Sequence, residues 1–154
     1  MVLIVGDQAP DFTLPASTGE EISLEGLRGQ KVVLYFYPKD DTPGCTIEAC
    51  GFRDANDDIR DAGAVVLGMS PDSLESHDKF ISKFELNFPL LSDVEKETIT
   101  AYDAWGEKES FGKKSMGILR KTFLIDERGK IAQIWPTVSV DGHADEVLAA
   151  VRSN

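Results

Sequence analysis

Six consecutive apolar residues, Val32 to Tyr37, constrain this chain more than any other feature. All but one are β-branched or aromatic, and no polar residue alternates with them. That pattern predicts a fully buried strand. Pro38 ends it, and a polar turn runs from Lys39 to Gly44 with two Asp, a Thr and a Pro. Cys45 comes next, and Thr46, Ile47, Glu48 and Ala49 suit the first turns of a helix. A buried strand thus delivers a thiol to the start of a helix, at the mouth of a βα unit. Open α/β sheets place their ligands there.

A thiol in that position is readily made nucleophilic. The thiolate is the reactive form, and a helix N-terminus with a nearby cation lowers the titration of a thiol from about 8.5 to roughly 3.5–7.5. Unpaired N–H groups and aligned peptide dipoles supply the partial positive charge. Gly44 permits close backbone approach to a small substrate. Pro43 stiffens the loop. Thr42, three residues before the thiol, can aim a hydroxyl at the same point. Cys50, by contrast, reads on its own as a core residue on a helix face, because buried cysteines are common and inert. Gly51 has two readings: it allows close helix packing, or it weakens the helix by about 1 kcal/mol relative to Ala.

Pro38-x-x-x-Thr42-x-x-Cys45 resembles the active-site motif of the peroxiredoxins. The longer string from Tyr35 to Cys50 is similar to the bacterioferritin comigratory, or Q-type, subgroup. Trp105-Gly106-Glu107-Lys108, Phe111-Gly112-Lys113 and Gly117-Ile118-x-Arg120-x-Thr122-Phe123 continue the likeness, which spans roughly Gly6 to Val151. Two positions depart: Phe111 stands where the subgroup carries Tyr more often, and Pro136 follows Trp135 in the last strand. The resemblance implies a thiol-dependent peroxidase acting on hydrogen peroxide and organic hydroperoxides. It makes Cys45 the peroxidatic thiolate and Cys50 the resolving thiol. Thr42 would exchange hydrogen bonds with peroxide and thiolate, Pro38 would shield the pocket from bulk water, and Arg120 would stabilise the developing charge. The first product would be a sulfenic acid on Cys45. The pair would then form an intramolecular disulfide, reduced by a thioredoxin or glutaredoxin-type partner.

Helix geometry bears on that pairing. Five residues apart on a regular helix, the two Cα atoms lie about 8.7 Å apart, whereas a disulfide needs less than roughly 7 Å. A Cys45–Cys50 bond therefore requires the helix to unwind, which implies a helical reduced state and a locally unfolded oxidised one.

The rest of the chain supplies the expected frame. Asp11–Leu14 and Glu21–Leu24 alternate like an N-terminal β-hairpin. The helix after Cys45 should run to about Asp61, with Gly63 capping it. Its acidic residues Asp54, Asp57, Asp58 and Asp61 read as a solvated face. Ala64–Ser70 is a second buried strand. Ser73 should cap a helix to Phe84, with His77 packed on its core stripe. Phe88–Asp93 reads as a short strand and a cap, and Lys96–Ala104 as a third helix. Gly106–Gly117 reads as a long loop. From Gly106 to Arg120 four cations face two anions, a basic island of net +2. Lys121–Asp126 and Ile131–Trp135 form a hairpin, and His143–Val151 a closing helix with His143 near its cap. Strands, then β-α-β-α, then a hairpin and a helix make an α/β sandwich on a mixed sheet. The order is similar to the thioredoxin-like fold with an N-terminal β-hairpin extension, which the resemblance also implies.

Composition sets outer bounds. One domain of 154 residues is expected, with 42 % hydrophobic and 28 % charged residues. A net charge of −11 argues against nucleic acid and anionic membranes as partners. Two cysteines and no basic-then-apolar leader argue for a reducing, cytoplasmic setting. A monomer is favoured, with a dimer the alternative. No motif for a nucleotide, metal or other cofactor stands out. Three other readings remain open on the residues alone: a disulfide-exchange enzyme, a redox-sensing interaction module, and a Cys/His metal site using His77 or His143.

Overall fold

A computed structural model describes residues 2–110 and 112–154. Met1, at the apolar start, and Phe111, one of the two departures, lie outside the described residues. The chain runs through β1 (Thr13–Pro15), β2 (Glu21–Ser23), β3 (Lys31–Phe36), α1 (Pro43–Asp61), β4 (Ala64–Ser70) and α2 (Leu74–Phe84). It continues with β5 (Leu90–Ser92), α3 (Glu97–Ala101), β6 (Trp105–Ser110), β7 (Lys113–Ile118), β8 (Lys121–Ile125), β9 (Ile131–Trp135) and α4 (His143–Ser153). Among the described residues, no helix is long and apolar enough to cross a membrane.

The central sheet has the order β5-β4-β3-β8-β9. β3 and β4 pair in parallel, as do β4 and β5, while β8 runs antiparallel to both β3 and β9. This is the mixed sheet expected from the element order. β3 lies at its centre, which is why its sequence carries no polar alternation. Val33 and Tyr35 face one core with Phe52, Phe80, Leu124 and Val147. Val32, Leu34 and Phe36 face a second core with Leu67, Ile99, Tyr102 and Phe123. Helices α1, α2 and α4 cover the first face, and α3 with the N-terminal hairpin covers the second.

Several boundaries differ from expectation. Helix α3 is five residues long, because Lys96 and Asp103 take left-handed conformations at φ +62° and +60° that confine it. The strand that ends at Trp135 leaves Pro136 outside the ladder, where its missing N–H costs no pairing. The segment expected as a long loop is a hairpin: β6 and β7 pair in register from Trp105↔Ile118 to Ser110↔Lys113. Its strands are largely exposed and polar, so no apolar period marked them.

Phe52 ties α1 to this frame. Its ring stacks on Tyr35 at 4.8 Å and meets Phe88 and His143 edge-on. It is fully buried. Phe52→Ala should lower unfolding stability by about 3–5 kcal/mol in urea titration, since rigid aromatic neighbours cannot collapse into the space.

Candidate active site

The thiol sits where β3 hands the chain to α1. Thr42 occupies the N-cap position, with φ −93° and ψ 156°, and Pro43 opens the helix. Cys45 is 1 % exposed. Its sulfur receives a hydrogen bond from Arg120 Nη2 at 3.3 Å. Arg120 lies just before β8, and the β3–β8 pairing, with Phe36 opposite Lys121, sets it beside the end of β3. Gly44 eases this approach, because a Cβ there would stand 3.3 Å from Arg120 Nη2, a tight contact.

Arg120 is shared. Its Nη1 donates to Glu48 Oε1 at 2.6 Å, and the Glu48 side chain is fully buried. Glu48 Oε2 has no hydrogen-bond partner among the described residues. Burial pushes the Glu48 carboxyl up to about 7, with the Arg120 charge and hydrogen bond opposing the rise. Burial alone would lower the titration of Arg120, but Glu48 and Cys45 outweigh it and raise it. One guanidinium thus stands between two acidic groups.

Thr42 and Pro38 lie in the turn that precedes Cys45. The Thr42 hydroxyl donates to the Lys39 carbonyl at 2.9 Å, which ties the turn to itself and leaves the oxygen's lone pairs to accept. Pro38 is half-buried and lines an outer cleft together with Arg120. Cys50 is half-buried on the continuous helix α1, and both cysteines are free thiols. At Gly51 a Cβ would meet Ala144 Cβ at 3.5 Å, an ordinary contact. The α1–α4 packing therefore does not itself demand a glycine there.

Sequence reasoning passed over two features. Glu48 follows Cys45 by three residues, a spacing that puts both on one helix face and was open to view. Asp40 is the second. Its Oδ1 accepts from Tyr37 at 2.5 Å, and its Oδ2 accepts from Ser76 at 2.8 Å and faces His77 Nδ1 at 2.7 Å. Its backbone N–H donates to Asp72 at 2.8 Å. His77 Nε2 donates to the Leu91 carbonyl at 2.9 Å, since a carbonyl can only accept. This network anchors the turn before Cys45 to α2 and to the end of β4. Asp40, Asp72 and His77 could by distance gather a metal ion. Asp40, Asp72 and His77 already hold hydrogen bonds within this group and to Tyr37, Ser70, Ser76 and Leu91, which a cation would have to break. His143, expected near the cap of the closing helix, is the first residue of α4. It is buried, with Nε2 at 2.7 Å from the Thr122 hydroxyl and Nδ1 at 3.0 Å from Glu146, and burial lowers its titration.

The raised Glu48 titration has a sign. Between about pH 4.5 and 7 the folded state holds a proton on this carboxyl that the unfolded chain has released, so this group makes stability fall as pH rises through that window. Glu48→Gln removes that contribution. Urea midpoints at about pH 5 and about pH 8 should therefore fall less with rising pH in Glu48→Gln than in the wild type.

Comparison with known proteins follows the same lines. Residues 5–134 match the model of the AhpC/TSA family. A putative peroxiredoxin bcp of Coxiella burnetii is 55 % identical over 148 residues, covering 96 % of this chain and 98 % of that protein. Peroxiredoxin Bcp of Bacillus subtilis is 46 % identical over 152 residues, covering 99 % and 97 %. A solved structure of the bacterioferritin comigratory protein of Xanthomonas campestris, described for its alkyl peroxide reduction activity, superposes with a TM-score of 0.90 at 42 % identity. It covers 99 % of this chain and 97 % of that one. The fold is accordingly the thioredoxin-like one of the peroxiredoxins, and this chain belongs to the AhpC/TSA family.

Proposed function

We propose that this protein is a thiol-dependent peroxidase in which Cys45 attacks hydroperoxides and Cys50 resolves the product. The observation that carries the reading is the Arg120 guanidinium held 3.3 Å from a buried sulfur at a helix start. A buried thiolate needs a fixed countercharge, and a fixed donor beside the reacting sulfur can also stabilise charge arriving on the leaving oxygen. The alkyl peroxide reduction activity described for the Xanthomonas relative supports the substrate class. Thr42 and Pro38 complete the pocket rim, and the 154 residues act as one unit.

The cycle reads as follows. The Cys45 thiolate sulfur bonds to the terminal peroxide oxygen and the O–O bond breaks. The other oxygen leaves with the electron pair and takes a proton, giving water or an alcohol. Cys45 is then a sulfenic acid. The start of α1 unwinds, the Cys50 sulfur displaces water from that acid, and a disulfide forms. A dithiol reductant of thioredoxin or glutaredoxin type restores both thiols in a reducing compartment.

The test is the rate of Cys45 loss when the reduced protein meets hydrogen peroxide, with intact mass followed in parallel. A rate far above that of free cysteine with loss of two hydrogens and no covalent dimer is expected. Cys45→Ser should abolish consumption, and normal turnover in that variant would end the reading. Cys50→Ser should react once and then stall under a dithiol protein reductant.

Unwinding gives a second prediction. Gly51→Ala fits beside Ala144 and strengthens the helix by about 1 kcal/mol. Disulfide formation after a peroxide pulse should slow by about fivefold, the equivalent factor, while the initial loss of the Cys45 thiol keeps its rate. A disulfide rate equal to wild type would show that α1 does not open at this point.

A further inference from the structure

Glu48 stands apart from the other buried carboxylates. Among the described residues, two buried side-chain polar atoms have no hydrogen-bond partner, the Tyr35 hydroxyl and Glu48 Oε2. Asp40 accepts from Tyr37 and Ser76, and Asp93 accepts from the Ile99 N–H. Glu48 has one oxygen on Arg120 Nη1 at 2.6 Å and the other bare. A bare oxygen that carries charge is costly to bury, and a proton on it removes the charge. Burial pushes Glu48 up to about 7 even against Arg120, in keeping with an acid form near neutral pH.

The cation that Glu48 faces is shared. Arg120 Nη2 donates to the Cys45 sulfur while Nη1 holds Glu48. Glu48 and Cys45 are both almost fully buried. With both ionised, one positive charge would face two negative ones out of reach of water. With one ionised, the charges cancel. Two acids beside one countercharge in a dry site titrate as a pair, and the proton that one loses the other keeps.

The surroundings do little to neutralise a second anion. Tyr35, from β3, stays neutral, because burial raises its titration and Glu48 and Cys45 raise it further. Lys108, from β6, brings another cation, but burial and then Arg120 lower its titration. His143, from α4, is lowered by burial. Asp40, in the turn before Cys45, adds negative charge and is held in its own network. β4, also packed against α1, carries no titratable side chain.

We infer that Glu48 and Cys45 share one proton across Arg120, and that Glu48 holds it while Cys45 is a thiolate and releases it when the sulfur is oxidised. Glu48 acts on the sulfur through Arg120, so it is a positioning residue for the countercharge. The inference rests on the peroxidase reading above and deepens it. With hydrogen peroxide, the sulfur bonds to one oxygen, which keeps its hydrogen, and the O–O electron pair leaves on the other as hydroxide. The hydroxide takes one proton to become water. Glu48 releases one, because a neutral sulfenic acid has replaced the thiolate and Arg120 is left to the carboxylate. Solvent supplies no net proton.

The test uses the full-length Cys50→Ser protein, in which oxidation stops at the sulfenic acid and α1 has no disulfide to unwind for. One equivalent of hydrogen peroxide is added, and an infrared difference spectrum is recorded between the reduced and oxidised states. The carbonyl stretch of a protonated carboxyl should be lost on oxidation and a carboxylate band should replace it. Adding Glu48→Gln should remove both features. Proton uptake is counted in parallel with a pH dye in weak buffer at about pH 7.5, just above the Glu48 titration. Cys50→Ser should take up well under about half a proton per sulfur, and Cys50→Ser/Glu48→Gln about one, since Gln has none to release. A purely structural Glu48 would move neither readout. Fast oxidation with no loss of a carboxyl band overturns the shared proton alone. So does uptake of a full proton while Glu48 is present. If hydrogen peroxide consumes Cys45 no faster than it consumes free cysteine, the peroxidase reading falls and this inference with it.

Discussion

One guanidinium holds the site together. Arg120 donates to the Cys45 sulfur with one nitrogen and to Glu48 with the other. Two acidic groups in a buried pocket would repel each other and lose hydration. The cation between them makes their proximity tolerable, and Gly44 leaves the space for it. Because Glu48 titrates near 7, the share of Arg120 available to the sulfur changes across the neutral range. A protonated Glu48 leaves the guanidinium to the sulfur, and an ionised one draws on it. The strength of the countercharge at Cys45 is therefore set partly by a residue one helical turn away.

The loop and the helix that flank this pair are secured to different degrees. Before Cys45, Asp40 is buried and saturated by Tyr37, Ser76 and His77 while its own N–H binds Asp72. The turn cannot move without breaking several buried hydrogen bonds, each costly to leave unmade. After Cys45, the helix carries the half-buried Cys50 and a glycine whose missing side chain the packing does not require. Phe52, two residues past Cys50, is again locked into the aromatic core. The half-buried pair Cys50 and Gly51 thus lies between two firm anchors. In the proposed cycle, that is where the two sulfurs have to meet.

Charge distribution makes the same point at longer range. A strongly acidic protein gathers Lys108, Arg120 and Lys121 along one cleft, Lys108 from the β6–β7 hairpin and Lys121 from the start of β8. Basic residues from Gly106 to Arg120 stood out in the sequence, but as a group they carried no direction. The fold divides them: Lys114 pairs with Glu107 on the outside, whereas Lys108 and Arg120 line the cleft beside the neighbouring Lys121.

Much of this protein follows from its sequence alone. The apolar run of β3, the proline and glycine around the turn, the capping Ser73 and the i,i+3 spacing of Cys45 and Glu48 are local patterns, and local patterns dictate strands, helix starts and shared faces. Where local signal was weak the reading failed: polar, exposed β6 and β7 passed for a loop, and α3 was drawn too long. Tertiary structure alone decided which distant groups meet. Arg120 reaches Cys45 across 75 positions, Asp40 finds His77 across 37, and the glycines of one hairpin make room for Lys108 and Leu119. Such contacts depend on strand register and helix docking. Those are fixed by the summed burial of two cores and leave no periodic trace in the residues that they bring together.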